Sequence, residues 1–309
     1  MLYRFDKKLI YKLFALIFLP SIFLSGCVTG KSINPLGLNP LDIIPEGASL
    51  YVNIKESAQN IPVINKKLEE FSVKMGVPKS LKDRTDNIAA VFFDDNWGYI
   101  VTQGSYPDFY IKDRLEKEEG WEVGNYQKVK YYFSNNAKTL IILLNNMLIV
   151  SDFPAGNGSA NLRAKRIIDI IMSNDAVTYP LVTNSVFHIT SKNAGNIFTQ
   201  FVAENVSLDT VNEVNFNIIL DPKNKKTGGI NITYMVEDEK KALLFNSVIR
   251  LFISDYVVKK KITDVKSLRD NNSIYYDGVF VYVNILDIPI EKLNMFIADF
   301  IGEANWLLG

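Results

Sequence analysis

Thiol and imidazole groups are nearly missing from this chain. Its 309 residues include one cysteine and one histidine. A single cysteine cannot close a disulfide within the chain, and one histidine rules out a multi-histidine metal site. An excess of one charge is missing too. The 34 basic residues balance 34 acidic ones, so nothing in the balance points to nucleic acid or an acidic polymer as partner. The apolar run Leu13–Phe23 contains Pro20 and Ser21 and falls short of the about 20 residues a spanning helix needs. A phosphate loop is also absent. Gly30-Lys31-Ser32 needs a glycine five positions earlier, where Ser25 stands, and Pro35 and Gly37 follow in place of a helix.

What is present starts at the amino terminus. Arg4, Lys7, Lys8 and Lys12 face a single acid, Asp6, and the apolar run follows. That is the layout of a secretory signal. Leu24-Ser25-Gly26-Cys27 comes at once after it, with small residues that let an extended chain enter a peptidase cleft. The stretch resembles the lipobox of bacterial lipoproteins at all four positions. The resemblance covers the first 27 residues. It implies cleavage between Gly26 and Cys27, a diacylglyceryl thioether on Cys27, and acylation of the new amino terminus. These lipids are the only attached groups expected; no dissociable cofactor and no metal are. With Cys27 lipidated no thiol remains, which removes zinc-thiolate sites and cysteine catalysis.

The 283 residues that would remain after the first 26 carry a net charge of −3. The whole chain is 48% hydrophobic, and a remainder of this size can bury one large core or two small ones. Residues 27–45 read as a lipidated start and a tether, with Gly30, Pro35, Gly37, Pro40 and Pro45 and no amphipathic period. Extended at about 3.1 Å per residue, the tether reaches on the order of 55 Å.

From Glu46 onward strand and helix signals alternate. Ala48–Ile54 is rich in β-formers, and Ile64, Leu68, Phe71 and Met75 share a helical face. Strands are expected over Ile88–Asp94, Gly98–Gln103, Tyr126–Phe133 and Thr139–Ser151, the last with a turn at Asn145-Asn146. Helices are expected over Asp108–Glu119, capped by Asp108, and over Ser159–Met172, with Leu162, Ile167, Ile168 and Ile171 inward. The second half repeats the order. It has strands at Val186–Thr190, Glu213–Asp221, Gly229–Val236, Ile274–Asp277 and Val279–Leu286. Its helices are Asn193–Val202, Lys240–Asp255 with Leu244, Val248 and Leu251 inward, and Ile290–Ile301. Residues also line up between halves: Asp94 with Asp221, Tyr131-Tyr132 with Tyr275-Tyr276. The expected fold is α+β in two modules, 46–173 and 174–309, each an antiparallel sheet with helices on one face. This order weakly resembles extracytoplasmic bacterial proteins built from tandem ferredoxin-like modules.

Candidate sites are few. Asp94-Asp95 is the best carboxylate pair for acid–base or cation chemistry, and Asp-Asp-Asn-Trp-Gly suits a tight turn equally well. Tyr126, Lys128, Lys130 and Tyr132 alternate along an expected strand, so one face would offer rings and cations to a glycan; a solvated sheet face gives the same pattern. Gly156-Asn157-Gly158-Ser159 reads as a loop with Ser159 capping a helix. Lys259-Lys260-Lys261 reads as a solvated turn, and His188, inside a strand, as structural. No catalytic constellation assembles from these residues.

The expected role is therefore structural or interactive, with no enzymatic activity. The protein would be held by its lipid to a bacterial membrane, the outer membrane favoured over the inner, facing an envelope or host protein or glycan and no nucleic acid. A small-ligand or lipid carrier is the alternative, and a carboxylate-dependent envelope hydrolase the third.

Overall fold

The computed structural model describes residues 44–74, 83–95, 97–144, 146–156, 158–172, 185–192, 211–221, 226–262, 268 and 273–303. Strands in chain order are β1 (Ala48–Lys55), β2 (Thr85–Phe93), β3 (Trp97–Gly104), β4 (Glu122–Tyr126), β5 (Val129–Ser134), β6 (Thr139–Leu144), β7 (Met147–Asp152), β8 (Ser185–Ser191), β9 (Val211–Leu220), β10 (Thr227–Val236), β11 (Ile274–Asp277) and β12 (Phe280–Pro289). The helices are α1 (Pro62–Lys74), α2 (Asp108–Lys117), α3 (Ser159–Met172), α4 (Glu239–Lys259) and α5 (Ile290–Glu303), with a 3-10 turn over Glu56–Asn60. The fold is α+β, built on antiparallel strands. The lipobox, the tether up to residue 43 and the helix expected over Asn193–Val202 lie outside the described residues.

Contacts divide the chain into two units. In one, described residues 49–67 join those from 185 onward, so β1 groups with strands of the second half. Its sheet runs β11-β12-β10-β9-β8-β1, antiparallel at every step. Residues two apart along each strand share a face and build its core. On β9, Val214, Phe216 and Ile218 are fully buried, and their register partners include Tyr234, Ile232 and Ile230 on β10. Helices α4 and α5 cover that face: Phe245 meets Tyr234 edge-on at 5.1 Å, and Phe296 meets Tyr256 at 5.5 Å. Each such aromatic or aliphatic side chain contributes about 1.5–3 kcal/mol by leaving water.

Caps set the ends of these helices. Asp238 accepts the Lys241 amide at 2.8 Å at the start of α4, satisfying a donor the helix leaves open. On α1, the Val63 amide donates to Asn294 Oδ1 of α5 at 2.7 Å. At the end of α4, Lys259 pairs with Asp255, and Asp299 of α5 accepts from both Lys260 and Tyr256, each at 2.7 Å. The three-lysine turn is thus largely neutralised by neighbouring carboxylates.

The inward face of α4 differs from the expected one. Leu244 and Leu251 are 61% and 75% exposed, while Ala242, Phe245, Ile249, Ile253 and Val257 are buried. Two apolar stripes satisfy helical spacing on this helix, and Phe245, the larger ring, takes the side against the sheet.

The other unit gathers described residues 44–48 and 68–172. Its sheet runs β2-β3-β7-β6-β5-β4, again antiparallel throughout. Ile44 is buried at the start of the described chain. On α3 the buried positions are Ala160, Ala164, Ile167 and Ile168, and Leu162 stands 70% exposed, contrary to expectation. Alanines let the helix lie close to the sheet, a role hydrophobicity alone does not mark. Ser159 is the first helical residue, not the cap; its hydroxyl donates back to the carbonyls of Pro154 and Gly156 at 2.7 and 2.8 Å. On α2 the N-cap position falls to Pro107, and Asp108 caps nothing. Its Oδ1 is buried without a partner, and burial raises its carboxyl above the usual range, with Lys112 opposing.

Tyr126–Phe133 is a hairpin rather than one strand. β4 ends at Tyr126, Gln127 and Lys128 turn with φ of 49° and 65°, and β5 begins at Val129. Left-handed residues at both central positions match the twist of a two-residue hairpin. Neither is glycine or asparagine, so the usual sequence signal for the turn is absent. Tyr131 and Tyr132 then point to opposite sheet faces: Tyr131 donates to Asn161 of α3 at 2.8 Å, Tyr132 to Glu116 of α2 at 3.0 Å. In this unit the helices stand on both faces, not one.

Candidate functional site

In the second unit, the Asp94-Asp95 turn and helix α3 face each other across a cleft of about 770 Å³. The turn follows β2 directly, and Asp and Asn favour that geometry. Phe93 and Trp97, the residues that close β2 and open β3, pair in register and stack at 4.2 Å, nearly parallel. Over this stack lie two guanidinium groups of α3. Arg166 sits 4.2 Å and Arg163 4.5 Å from the Trp97 ring. Three residues apart, they share a helix face, and a ring face attracts cations.

Asp95 accepts from Arg166 Nη1 at 2.8 Å. Partial burial pushes its carboxyl up, but the Arg166 hydrogen bond and the charges of Arg166 and Arg163 prevail and hold it below the usual range. Asp94 makes no hydrogen bond or ion pair among the described residues. Behind the stack, burial raises the Asp152 carboxyl against the pull of Arg163, and burial lowers the Arg163 guanidinium in turn. One nitrogen of Arg163 and the Trp97 indole nitrogen are buried without partners.

The far rim is held by the β4–β5 turn. Asp169 accepts from Gln127 Nε2 at 2.9 Å and from the Tyr126 hydroxyl at 3.4 Å, and Lys165 lies 5.5 Å from the Tyr126 ring. Of the four residues expected on one glycan-facing strand, only Tyr126 reaches this site. Lys128 is an exposed turn residue. Lys130 pairs with Glu116 at 3.3 Å, and Tyr132 is fully buried on the same carboxylate. Burial and that carboxylate push the Tyr132 phenol up to about 12. Cys27 and Gly26 lie outside the described residues. Arg163, Arg166, Trp97 and Asp169 were not singled out in the sequence. An Arg pair at helical spacing is its only local trace, and the 71 residues between Asp95 and Arg166 hide their meeting.

Chemically, an ionised Asp95 locked to a permanent cation has no proton to give and little basicity to offer. His188 is no better placed for catalysis. It is buried, with Nδ1 2.6 Å from Asn217 Oδ1 and Nε2 2.7 Å from Thr190 Oγ1, and burial drives its pKa to about 4 against the hydrogen bond to Asn217. Among the described residues no group of three His, Cys, Asp or Glu side chains could hold a metal ion. No described helix is long and apolar enough to cross a membrane.

No protein-family model and no curated protein sequence matches the chain. Among solved structures, crystal form IV of TP0453 is similar over 85% of this chain and 98% of its own, with 16% identity and a TM-score of 0.51. Crystal form III of TP0453 covers 85% and 99%, at 16% identity and a TM-score of 0.49. At this identity the likeness to form IV concerns the fold alone.

Proposed function

We propose that the chain is a membrane-tethered lipoprotein whose folded part serves interaction rather than catalysis. The observation that carries this is the state of the charged groups around the cleft. Asp95 is paired with Arg166, Asp169 holds the hairpin tip, and both guanidiniums are spread over an aromatic stack. Such an arrangement fixes the shape and charge pattern of a surface; it leaves no tuned acid–base pair. The basic, apolar and lipobox segments of residues 1–27 direct a lipid onto Cys27, and residues 27–45 form the tether, which confines that surface near a membrane and raises its effective concentration there. An envelope or host component is the partner, and the outer membrane the favoured site.

A duplicated architecture fits the same reading. In one unit the hairpin β9-β10 is followed by α4 and the hairpin β11-β12, with β12 beside β10. In the other, β2-β3 is followed by α2 and, after β4-β5, by β6-β7, with β7 beside β3. Asp94 and Asp221 both follow the first strand of their set. This supports two related modules, though with a strand order of its own.

Growth with a labelled fatty acid tests the anchor. The wild type should carry label and Cys27→Ser should not; equal labelling would end the proposal. Turnover of an envelope polymer, lost in Asp94→Asn, would favour the hydrolase instead.

A further inference from the structure

The sheets of the two units differ in how their end strands β11 and β4 are guarded. In the first unit β11 has four residues, and the main-chain carbonyl of Ile274 accepts from Arg250 Nη2 at 2.5 Å. A short strand with a side chain over its free carbonyl is a protected edge. In the second unit β4 is the end strand, and no described strand lies beyond it. It holds no proline, lysine or bulge, and its single charge is Glu122 at its start. Glu122, Val123 and Asn125 are exposed, Val123 by 48%.

Register decides which main-chain groups of β4 point outward. Gln127 and Lys128 make a two-residue turn, so Tyr126 and Val129 exchange hydrogen bonds, as do the pairs Gly124–Tyr131 and Glu122–Phe133. The N–H and C=O groups of Val123 and Asn125 therefore face away from β5, and no described main-chain group meets them. These two residues flank Gly124 symmetrically. Gly124 is itself required by its own sheet, since a Cβ there would stand 2.1 Å from the Tyr131 ring.

We propose that β4 is a homodimerisation edge, along which two copies of the chain join their β4 strands antiparallel about a two-fold axis at Gly124. Such an interface uses the same patch on both copies. Val123 of each copy then exchanges both main-chain hydrogen bonds with Asn125 of the other, because outward-facing residues fall opposite one another. This register overlays the whole strand, whereas a shift by two residues in either direction leaves its ends unpaired. At the axis lies a non-hydrogen-bonded pair, where the chains approach most closely, and each copy presents a glycine there. Glu122 falls opposite Tyr126 of the other copy rather than opposite a second carboxylate, which avoids the cost of facing like charges. That self-matching selects a second copy over an unrelated strand. The pairing belongs to the folded second unit and does not rest on the lipid anchor or on the role of the Asp95 cleft.

Sedimentation velocity and amide exchange on the mature chain test the assignment. The joined strands are short against a standard interface, so association should be weak, with a Kd on the order of 100 µM. Between about 1 and 500 µM the wild type should pass from monomer to dimer, and exchange at the Val123 and Asn125 amides should slow in step. Val123→Pro removes an outward N–H and leaves the β4–β5 ladder whole; it should weaken association by about tenfold or more. Val123→Lys sets like charges diagonally across the axis and should weaken it about fivefold, which keeps the test decisive if the proline variant does not fold. Folded variants that associate as well as the wild type would overturn the assignment. So would slow exchange of these amides in the dilute monomer, which would mean that the chain covers its own edge. A wild type that stays monomeric while both amides exchange freely also overturns it, and leaves the edge to a strand of another protein.

Discussion

Acidification should destabilise the first unit through His188, and the size of the effect follows from its surroundings. Burial lowers its pKa to about 4, from 6.5 for the free side chain. Below pH 6.5 the unfolded chain takes up a proton that the folded chain refuses, so stability is full above 6.5 and falls as pH drops towards 4. The slope is about 1.4 kcal/mol per pH unit, and the whole loss roughly 3 kcal/mol. At about 2–4 °C per kcal/mol for a unit of this size, the melting temperature should drop by roughly 6–12 °C. Carboxylates also titrate in this range, so the measurement is a difference. Thermal unfolding of wild type and His188→Gln from pH 7 to pH 4 should show a flatter dependence in the variant, whose amide can still meet Asn217 and Thr190. Parallel curves would refute the reasoning, because they would mean that His188 charges in place.

Three further outcomes are expected. Phe245→Ala, on the buried stripe of α4, should cost about 3–5 kcal/mol in denaturant unfolding, while Leu251→Ala should stay within about 0.5 kcal/mol. Arg166→Ala should raise the Asp95 pKa towards 3.8 in an NMR titration and change stability by less than about 1 kcal/mol, since both side chains are more than half exposed. Gly124→Ala would place a Cβ 2.1 Å from the Tyr131 ring; displacing Tyr131 from Asn161 should cost about 1–3 kcal/mol by thermal unfolding.

Much of the architecture was legible where the pattern is local. β-Branched runs gave most strands, and Pro62 marked the start of α1. The Asp94-Asp95 turn was read from Asp and Asn. Reading failed where two solutions share one pattern. On α4, Leu244-Val248-Leu251 and Phe245-Ile249-Ile253 are both helical stripes, and only the sheet opposite selects between them. The Gln127-Lys128 turn lacked glycine, so the chain through it passed for one strand. Asn53, Asn217, Asn231 and Asn284 each look like ordinary solvent-facing residues until register sets them in one row with His188. Asp95 and Arg166 met for the same reason, through long-range closure.

Asp169 occupies a double position, in the cleft wall and beneath the hairpin tip. Holding Gln127 and Lys128 at positive φ runs against the preference of L-residues by roughly 1–2 kcal/mol each, and the Gln127–Asp169 bond helps to offset that. An occupant of the cleft that recruited Asp169 would withdraw this support, and the β4–β5 tip would loosen. Amide exchange at Gln127 and Lys128 thus becomes a gauge of events in the cleft, read from residues that no occupant needs to touch.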